Sequence, residues 1–399
     1  MKVEKNKLFI FITFLTLSFR TSLSLISASL SFIPLLFGIL ITIRNFINSG
    51  IKQIKKPTIF LFCLIIYFIF LIFLSPLLTV QSGSFIPFLG SFQYLFPIFF
   101  WYSFLILNPE KSTEYFRYFI KIFCSIGLLI AIFAYVQYFI SPNIFGLISN
   151  DVYAPLSGEM NPNVTKRAIS FISSPQSLGL FLASVASAHF YFMRGSALNY
   201  LKIIIIFGAG ILTGSKAFVI FLIVFFMINF SRYFFRLLLS LIALSIAGYL
   251  FLPYVDFDTI ERFSFIATRL IFISEYNTYQ IWLSFLTYPT DIFQLFFGHG
   301  LGVMGTASQT IYDYKILNGS TESFLIQLYF EAGIFLMLGF LVFFSWCVFK
   351  CYKSNELKPL GSILIASFFV IISTPAFYGF LNSFWLWAIL LYVAGWKKI

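Results

Sequence analysis

Charge is what this sequence has least of. Asp, Glu, Lys and Arg make up only 10% of its 399 residues, against roughly 25% in a soluble domain. With 60% hydrophobic and 22% aromatic residues, the chain leaves no room for a separate soluble domain of ordinary size. Histidine occurs twice and cysteine four times. Cys63 and Cys124 fall in apolar runs, and Cys347 and Cys351 lie one helical turn apart beside a basic connection. That is too few ligands for a structural metal, so the four read as ordinary reduced thiols. The sequence has no Gly-x-Ser-x-Gly, no Gly-x-x-x-x-Gly-Lys and no His/Cys/Asp cluster at metal-ligand spacing. No internal repeat stands out. No small-residue cleavage site follows the basic start Met1–Lys7, so the first apolar run is expected to be a retained helix and not a signal peptide. No cofactor and no metal are expected.

What the chain does have is apolar length. Phe alone occurs 58 times, and runs long enough to cross a bilayer recur from end to end. They fall at about 8–20, 22–43, 59–79, 91–107, 118–140, 176–193, 200–213, 217–231, 237–252, 322–348, 359–375 and 380–396. The expected fold is therefore all-α, a single polytopic membrane domain over 1–399 with about twelve transmembrane helices. The net charge of +12 then marks topology and is not a nucleic-acid surface.

Alternate connections differ sharply in Lys and Arg. Nineteen of the 26 basic residues lie at the N-terminus, in 44–56, around Lys111–Lys121, at Arg194/Lys202, at Arg232/Arg236, in 350–358 and at Lys397/Lys398. The other seven are Arg20, Lys166, Arg167, Lys216, Arg262, Arg269 and Lys315. The positive-inside rule puts the first set in the cytoplasm, with both termini inside. Most acids fall on the outer side, Glu322 among them. Two outer connections are long, about 141–175 and 253–321. The second carries amphipathic stretches, Ile260–Tyr276 and Ile281–Phe297, expected as short helices on the membrane surface.

Catalytic groups of such a protein should gather on one face, and the outer cations run against the charge bias. Lys216 sits in Leu212-Thr213-Gly214-Ser215-Lys216-Ala217, a tight turn that offers backbone N–H groups, hydroxyls and a cation, a combination suited to phosphate. A lone lysine there is equally an interfacial anchor. Lys166 and Arg167 precede a span and have the same two readings. Arg262 and Arg269, seven apart, share a helix face, and nearby acids can simply pair with them. His299, in Gly298-His299-Gly300-Leu301-Gly302, is expected to be flexible and outward-facing, either a base or part of a glycine turn. His189 is mid-span and expected to pack against a neighbour. Glu322 lies at the mouth of the span 322–348, where a carboxylate is costly and a functional suspect. Glu331, deeper in the same run, is expected to bond a neighbouring helix.

In order along the chain, four segments resemble the O-antigen polymerase/ligase superfamily. They are Arg167-x-x-Ser170-Phe171-x-x-x-Pro175-x-x-x-Gly179, Leu212-Thr213-Gly214-Ser215-Lys216, Trp282-x-x-x-Leu286-x-x-Pro289 followed by Gly298–Gly302, and Glu322-Ser323-Phe324-Leu325 through Glu331-Ala332-Gly333. The likeness covers roughly residues 120–345. Lys216 replaces the family's arginine. Glu322-Ser323 stands where the ligase branch has His-Asn, which favours a polymerase. Asn277 and Thr278 occupy the region where the family often carries an arginine, which leaves Arg262 and Arg269 open for that role.

The resemblance implies a bacterial inner-membrane glycosyltransferase without a metal. It would move a growing glycan from undecaprenyl pyrophosphate to a lipid-linked repeat unit on the outer face, with a chain-length regulator as a further partner and membrane lipids around it. Lys216, Arg167 and one of Arg262 and Arg269 would take the pyrophosphate charge, and Glu322 would be the base. The alternatives are a ligase acting on another acceptor and a lipid-linked oligosaccharide flippase. The span interiors are poor in charge, which disfavours transport.

Overall fold

The computed structural model describes residues 4–20, 22–23, 33–49, 63–64, 66–74, 94–140, 167–172, 174–193, 195, 197–230, 278–288, 290–304 and 323–396. Among these the secondary structure is helical, with no strand. The helices are α1 (Lys5–Ser18), α2 (Ile33–Ser49), α3 (Tyr94–Ile106), α4 (Ser112–Phe139), α5 (Pro175–Phe192), α6 (Ala197–Leu212) and α7 (Lys216–Asn229). They continue as α8 (Thr278–Leu286), α9 (Ile292–Phe297), α10 (Phe324–Tyr352), α11 (Lys358–Ser373) and α12 (Phe380–Gly395). α4 and α10 are long and apolar enough to cross a membrane. The expected span 237–252 and the stretch Ile260–Tyr276 lie outside the described residues, and 59–79 is described only in part.

Local chemistry explains the boundaries. Ser174 caps α5 by accepting from Ser177 N, and Pro175 fills the first helical position, where a missing N–H costs nothing. Asp291 and Gln294 close a capping box on α9. α4 begins at Ser112, so Arg117 and Lys121 ride on the helix and not in the connection that apolar periodicity alone assigns them. Glu114 in its first turn faces the positive end of the helix dipole. The last turn of α3, Tyr102–Ile106, widens to π geometry.

α12 is the axis of the bundle. Every residue from Phe380 to Ala394 is buried, as expected of a helix that is apolar all round. It is met by α4 and α3. Trp385 stacks on Phe123 at 4.0 Å and Tyr392 on Phe116 at 4.0 Å. Trp101 Nε1 donates to Phe384 O at 2.8 Å. Around this axis the outer helices turn apolar residues outward. On α2, Ile33, Leu36, Leu40, Ile43 and Ile47 form an exposed stripe, and on α10 Phe335, Leu338, Val342 and Phe349 do the same.

The two ends of the bundle differ. At one end α1 meets α4: Lys111 Nζ reaches Glu4 at 2.8 Å, Lys7 pairs with Glu114, and Tyr115 Oη donates to Glu4. Lys350 Nζ donates to Ala394 O at this same end. We call it the basic end. The opposite end holds Arg20, stacked 4.4 Å over Phe380, and the segment from Arg167 to Ile172.

Candidate functional site

At the opposite end the chain enters α5, α7 and α10 on serine: Ser174, Ser215 and Ser323 are their N-caps. Helix N-termini carry unpaired N–H groups and the positive end of the dipole, a setting that suits an anion.

The turn between α6 and α7 sits in that ring. Gly214, at φ 53°, reverses the chain. Thr213 N and Gly214 N donate back to Gly210 O and Ile211 O, so these two N–H groups are spent inside the turn. Its carbonyls are held by Arg167, which donates from Nε to Thr213 O at 2.8 Å and from Nη2 to Gly214 O at 2.9 Å. A guanidinium fork suits two neighbouring carbonyls, and a cation is favourable at the C-terminus of α6. Ala168 N adds a bond to Leu212 O. Sequence analysis grouped Arg167 with Lys216, and the structure brings them to the same turn. Lys216 opens α7 and is partly exposed.

The arginine segment is itself pinned from α4. Gln137 Oε1, fully buried, accepts from Ile169 N at 2.9 Å and Ser170 N at 2.7 Å. Ser170 Oγ donates to Ile130 O, and Ser170 takes φ 48°, left-handed for a non-glycine residue. Ser215 Oγ is buried with no partner among the described residues. It lies against Gly179 of α5, where a Cβ would fall 2.7 Å from it.

A polar row continues across the end of the bundle. Asn382 Nδ2 donates to Ser177 O at 3.0 Å and Ala376 O at 3.1 Å, which ties α12 to the start of α5. Its Oδ1 is buried without a partner among the described residues. Phe324 N donates to Thr374 O at 3.1 Å. Ser323 therefore starts α10 in this row. Glu322, its neighbour in sequence, lies outside the described residues, as do Lys166, Arg262 and Arg269.

Deeper in, α10 is broken. Gly333 adopts φ 79°, ψ 176° and interrupts the helix after its first two turns. The break frees the carbonyls of Phe330, Glu331 and Ala332. His299 N donates to Phe330 O at 2.7 Å and Gly300 N to Glu331 O at 3.2 Å. Tyr67 Oη lies 3.0 Å from Ala332 O. The fit is tight: a Cβ on Gly333 would fall 2.0 Å from Phe296 O, and one on Gly298 would fall 2.4 Å from Glu331 C. Glu331, fully buried, accepts from Tyr94 Oη at 2.7 Å, Met304 N at 3.1 Å and Gln327 Nε2 at 3.4 Å. The expected bond to a neighbouring helix is there, in Tyr94 of α3. Two further donors make the carboxylate a junction of α3, α10 and the glycine loop.

This arrangement corrects one expectation. His299 is not flexible and outward-facing. It is 6% exposed, stacked on Phe330 at 4.2 Å with Tyr288 edge-on at 5.2 Å. Burial lowers its pKa below 6.5 against the opposing charge of Asp291, so the neutral imidazole is favoured. The stretch Ile281–Phe297 is, as expected, in short helices, mostly exposed or half-buried, α8 and α9, while Phe285 and Val303 pack on Phe330 of α10. His189 does pack against a neighbour: Nδ1 lies 2.9 Å from Asn199 Oδ1.

Sequence reasoning missed Gln137, Asn382 and Tyr94. A buried amide inside an apolar helix was the available signal for the first two. Among the described residues no group of three or more His, Cys, Asp or Glu gathers, and the groups that can meet a ligand at this end are cations, hydroxyls and helix N–H groups. The sequence matches no family model and no curated protein.

Proposed function

We propose that this chain is a polytopic membrane glycosyltransferase that extends a glycan on a polyprenyl pyrophosphate, with its site at the end of the bundle that holds Arg167 and Lys216. One observation carries the reading. Two cation-bearing segments about fifty residues apart fold onto one turn, beside helix N-termini and a buried unpartnered serine hydroxyl. These are the segments in which the sequence resembles the O-antigen polymerase/ligase superfamily. The outward apolar stripes on α2 and α10 support a lipid surround, and the basic residues at the other end support a cytoplasmic placement for that end in a bacterial inner membrane.

In the reaction an acceptor sugar hydroxyl attacks the donor's anomeric carbon. The new C–O bond forms as the bond to the pyrophosphate oxygen breaks. The hydroxyl proton passes to the Glu322 carboxylate, and the electron pair leaves with the lipid pyrophosphate. Lys216 and the N-terminus of α7 stabilise that leaving charge. Arg167 keeps the turn in place and adds its field, and Lys166, Arg262 and Arg269 are the further cations proposed for the site. The donor and acceptor are undecaprenyl-pyrophosphate-linked oligosaccharides, and a chain-length regulator is the proposed protein partner.

Deletion of the gene followed by electrophoresis of the surface glycan tests this. A polymerase mutant leaves single repeat units attached, a ligase mutant attaches none, and a flippase mutant accumulates lipid-linked units inside. Normal chain length in both Glu322→Gln and Lys216→Ala would remove the site assignment.

A further inference from the structure

At the basic end, α10 and α11 pack closely where Gly361 meets Cys351 and Tyr352, and beside that contact their surfaces diverge. They leave an open groove of about 400 Å³ between Ser345, Val348, Phe349 and Tyr352 on α10 and Ile365 and Phe368 on α11. The α10 residues recur at i, i+3, i+4 and i+7, so they form one face. Phe349 is 59% exposed and Tyr352 44%, large rings left on the surface beside a space they only partly fill.

A cation stands at the mouth. Lys353, the C-cap of α10, holds Nζ 4.3 Å from the centroid of the Phe349 ring. Among the described residues Lys353 enters no ion pair. Lys350 is committed elsewhere, to Ala394 O. Lys358 opens α11 and is exposed, and Glu356 is the one acid in the connection between the two helices. An apolar slot with a net positive mouth, set at a helix end, has the two halves of a phospholipid's chemistry.

We propose that this groove binds an anionic glycerophospholipid, with an acyl chain along Val348, Phe349 and Phe368 and the phosphate at Lys353. The inference rests on the membrane reading above and not on the glycosyl-transfer reading. Charge complementarity selects an anionic lipid over a zwitterionic one, whose own cation would meet Lys353. The α10–α11 pair is also the one whose other end carries Ser323 and Thr374, so a lipid wedged here braces the helix that begins at the candidate site.

The test uses full-length protein in detergent micelles, with thermal unfolding followed as lipid is added. Phosphatidylglycerol is expected to raise the midpoint more than phosphatidylcholine with the same chains. Lys353→Gln is expected to weaken the phosphatidylglycerol response about fivefold and erase the difference between the two lipids. Ser345→Trp, which fills the groove, is expected to abolish both responses, and if it does not fold, Lys353→Gln still decides. Glycerol 3-phosphate alone is expected to do nothing. Equal responses to the two lipids, a difference that survives Lys353→Gln, or a full response to glycerol 3-phosphate would each overturn the proposal. Loss of the polymerase reading would leave these shifts untouched. A chain that washes off vesicles with carbonate would defeat the membrane reading, and this site with it.

Discussion

Donors from three parts of the chain, Tyr94 on α3, the glycine loop and Gln327 on its own helix, meet on the carboxylate of Glu331, and none of them is a cation. In an apolar interior each would be costly to leave unpaired, at about 1–3 kcal/mol. Glu331→Leu is therefore expected to destabilise the protein by several kcal/mol, and Glu331→Gln, which keeps an acceptor, by clearly less. Unfolding midpoints in detergent measure both, and equal losses would mean that the acceptor does not matter. His299 gives a second test. Its folded pKa is depressed below 6.5 by burial, so the unfolded chain takes up the proton first as pH falls. The stability from the neutral buried ring is fully present above 6.5 and declines as pH falls to the lowered folded value. His299→Phe keeps a stacking ring, so the midpoint of the variant is expected to lose this part of the acid sensitivity as pH falls below 6.5. At this scale the sequence was legible where a charge stood out of place. Arg167, Lys216 and Glu331 announced themselves by sitting against the topological bias or inside an apolar run. The partners of Glu331 did not, because Tyr94 is 237 residues away and Met304 is 27, and no periodicity links such distances.

Among the elements, the tight turn at Thr213–Ala217 was readable and the break in α10 was not. Pro175 after Ser174 and the Thr213-Gly214-Ser215 turn carry their geometry in their residue types. Ser174→Ala is expected to cost about 1 kcal/mol through the lost cap on Ser177 N, a loss that Ser174→Asp restores. The start of α4 was placed too late because Arg117 and Lys121 looked like connection, whereas a helix carries such side chains well beyond its apolar stretch. The break in α10 was invisible for a related reason. Residues 322–348 read as one continuous apolar run, and Gly333 within it looks like any tolerated glycine until Phe296 is found packed against it. Gly333→Ala puts a Cβ 2.0 Å from Phe296 O and forces a left-handed φ on alanine. It is expected to cost more than the roughly 1–2 kcal/mol of the backbone conformation alone, and to do so more severely than Gly339→Ala, where a Cβ meets open space.

For the whole molecule, composition revealed the class of fold but not its centre. Nothing in 380–396 marks it as the axis, since the expected spans are all apolar and only packing distinguishes them. If lipid surrounds the bundle, water exclusion does not hold the helices together, and close contacts such as Phe123–Trp385 and Phe116–Tyr392 must do so. The surface gives a direct check. Leu40 is 66% exposed. In water Leu40→Lys would change stability by no more than about 0.5 kcal/mol, whereas at the middle of a span it costs about 2.5–3.5 kcal/mol. A sharp fall in the amount of Leu40→Lys protein recovered from the membrane fraction is expected, and normal recovery would count against lipid contact at this face.

The break in α10 also has a direction in time. Its freed carbonyls, at Phe330, Glu331 and Ala332, take their donors from Tyr67, His299 and Gly300, and all three lie upstream in the chain. Every group needed to satisfy the interruption has therefore left the ribosome before the helix that contains it. Elongation from the N-terminus thus never presents those carbonyls to an apolar surrounding ahead of their partners. A circular permutation that moved residues 278–304 behind α10 would keep every contact and reverse that order.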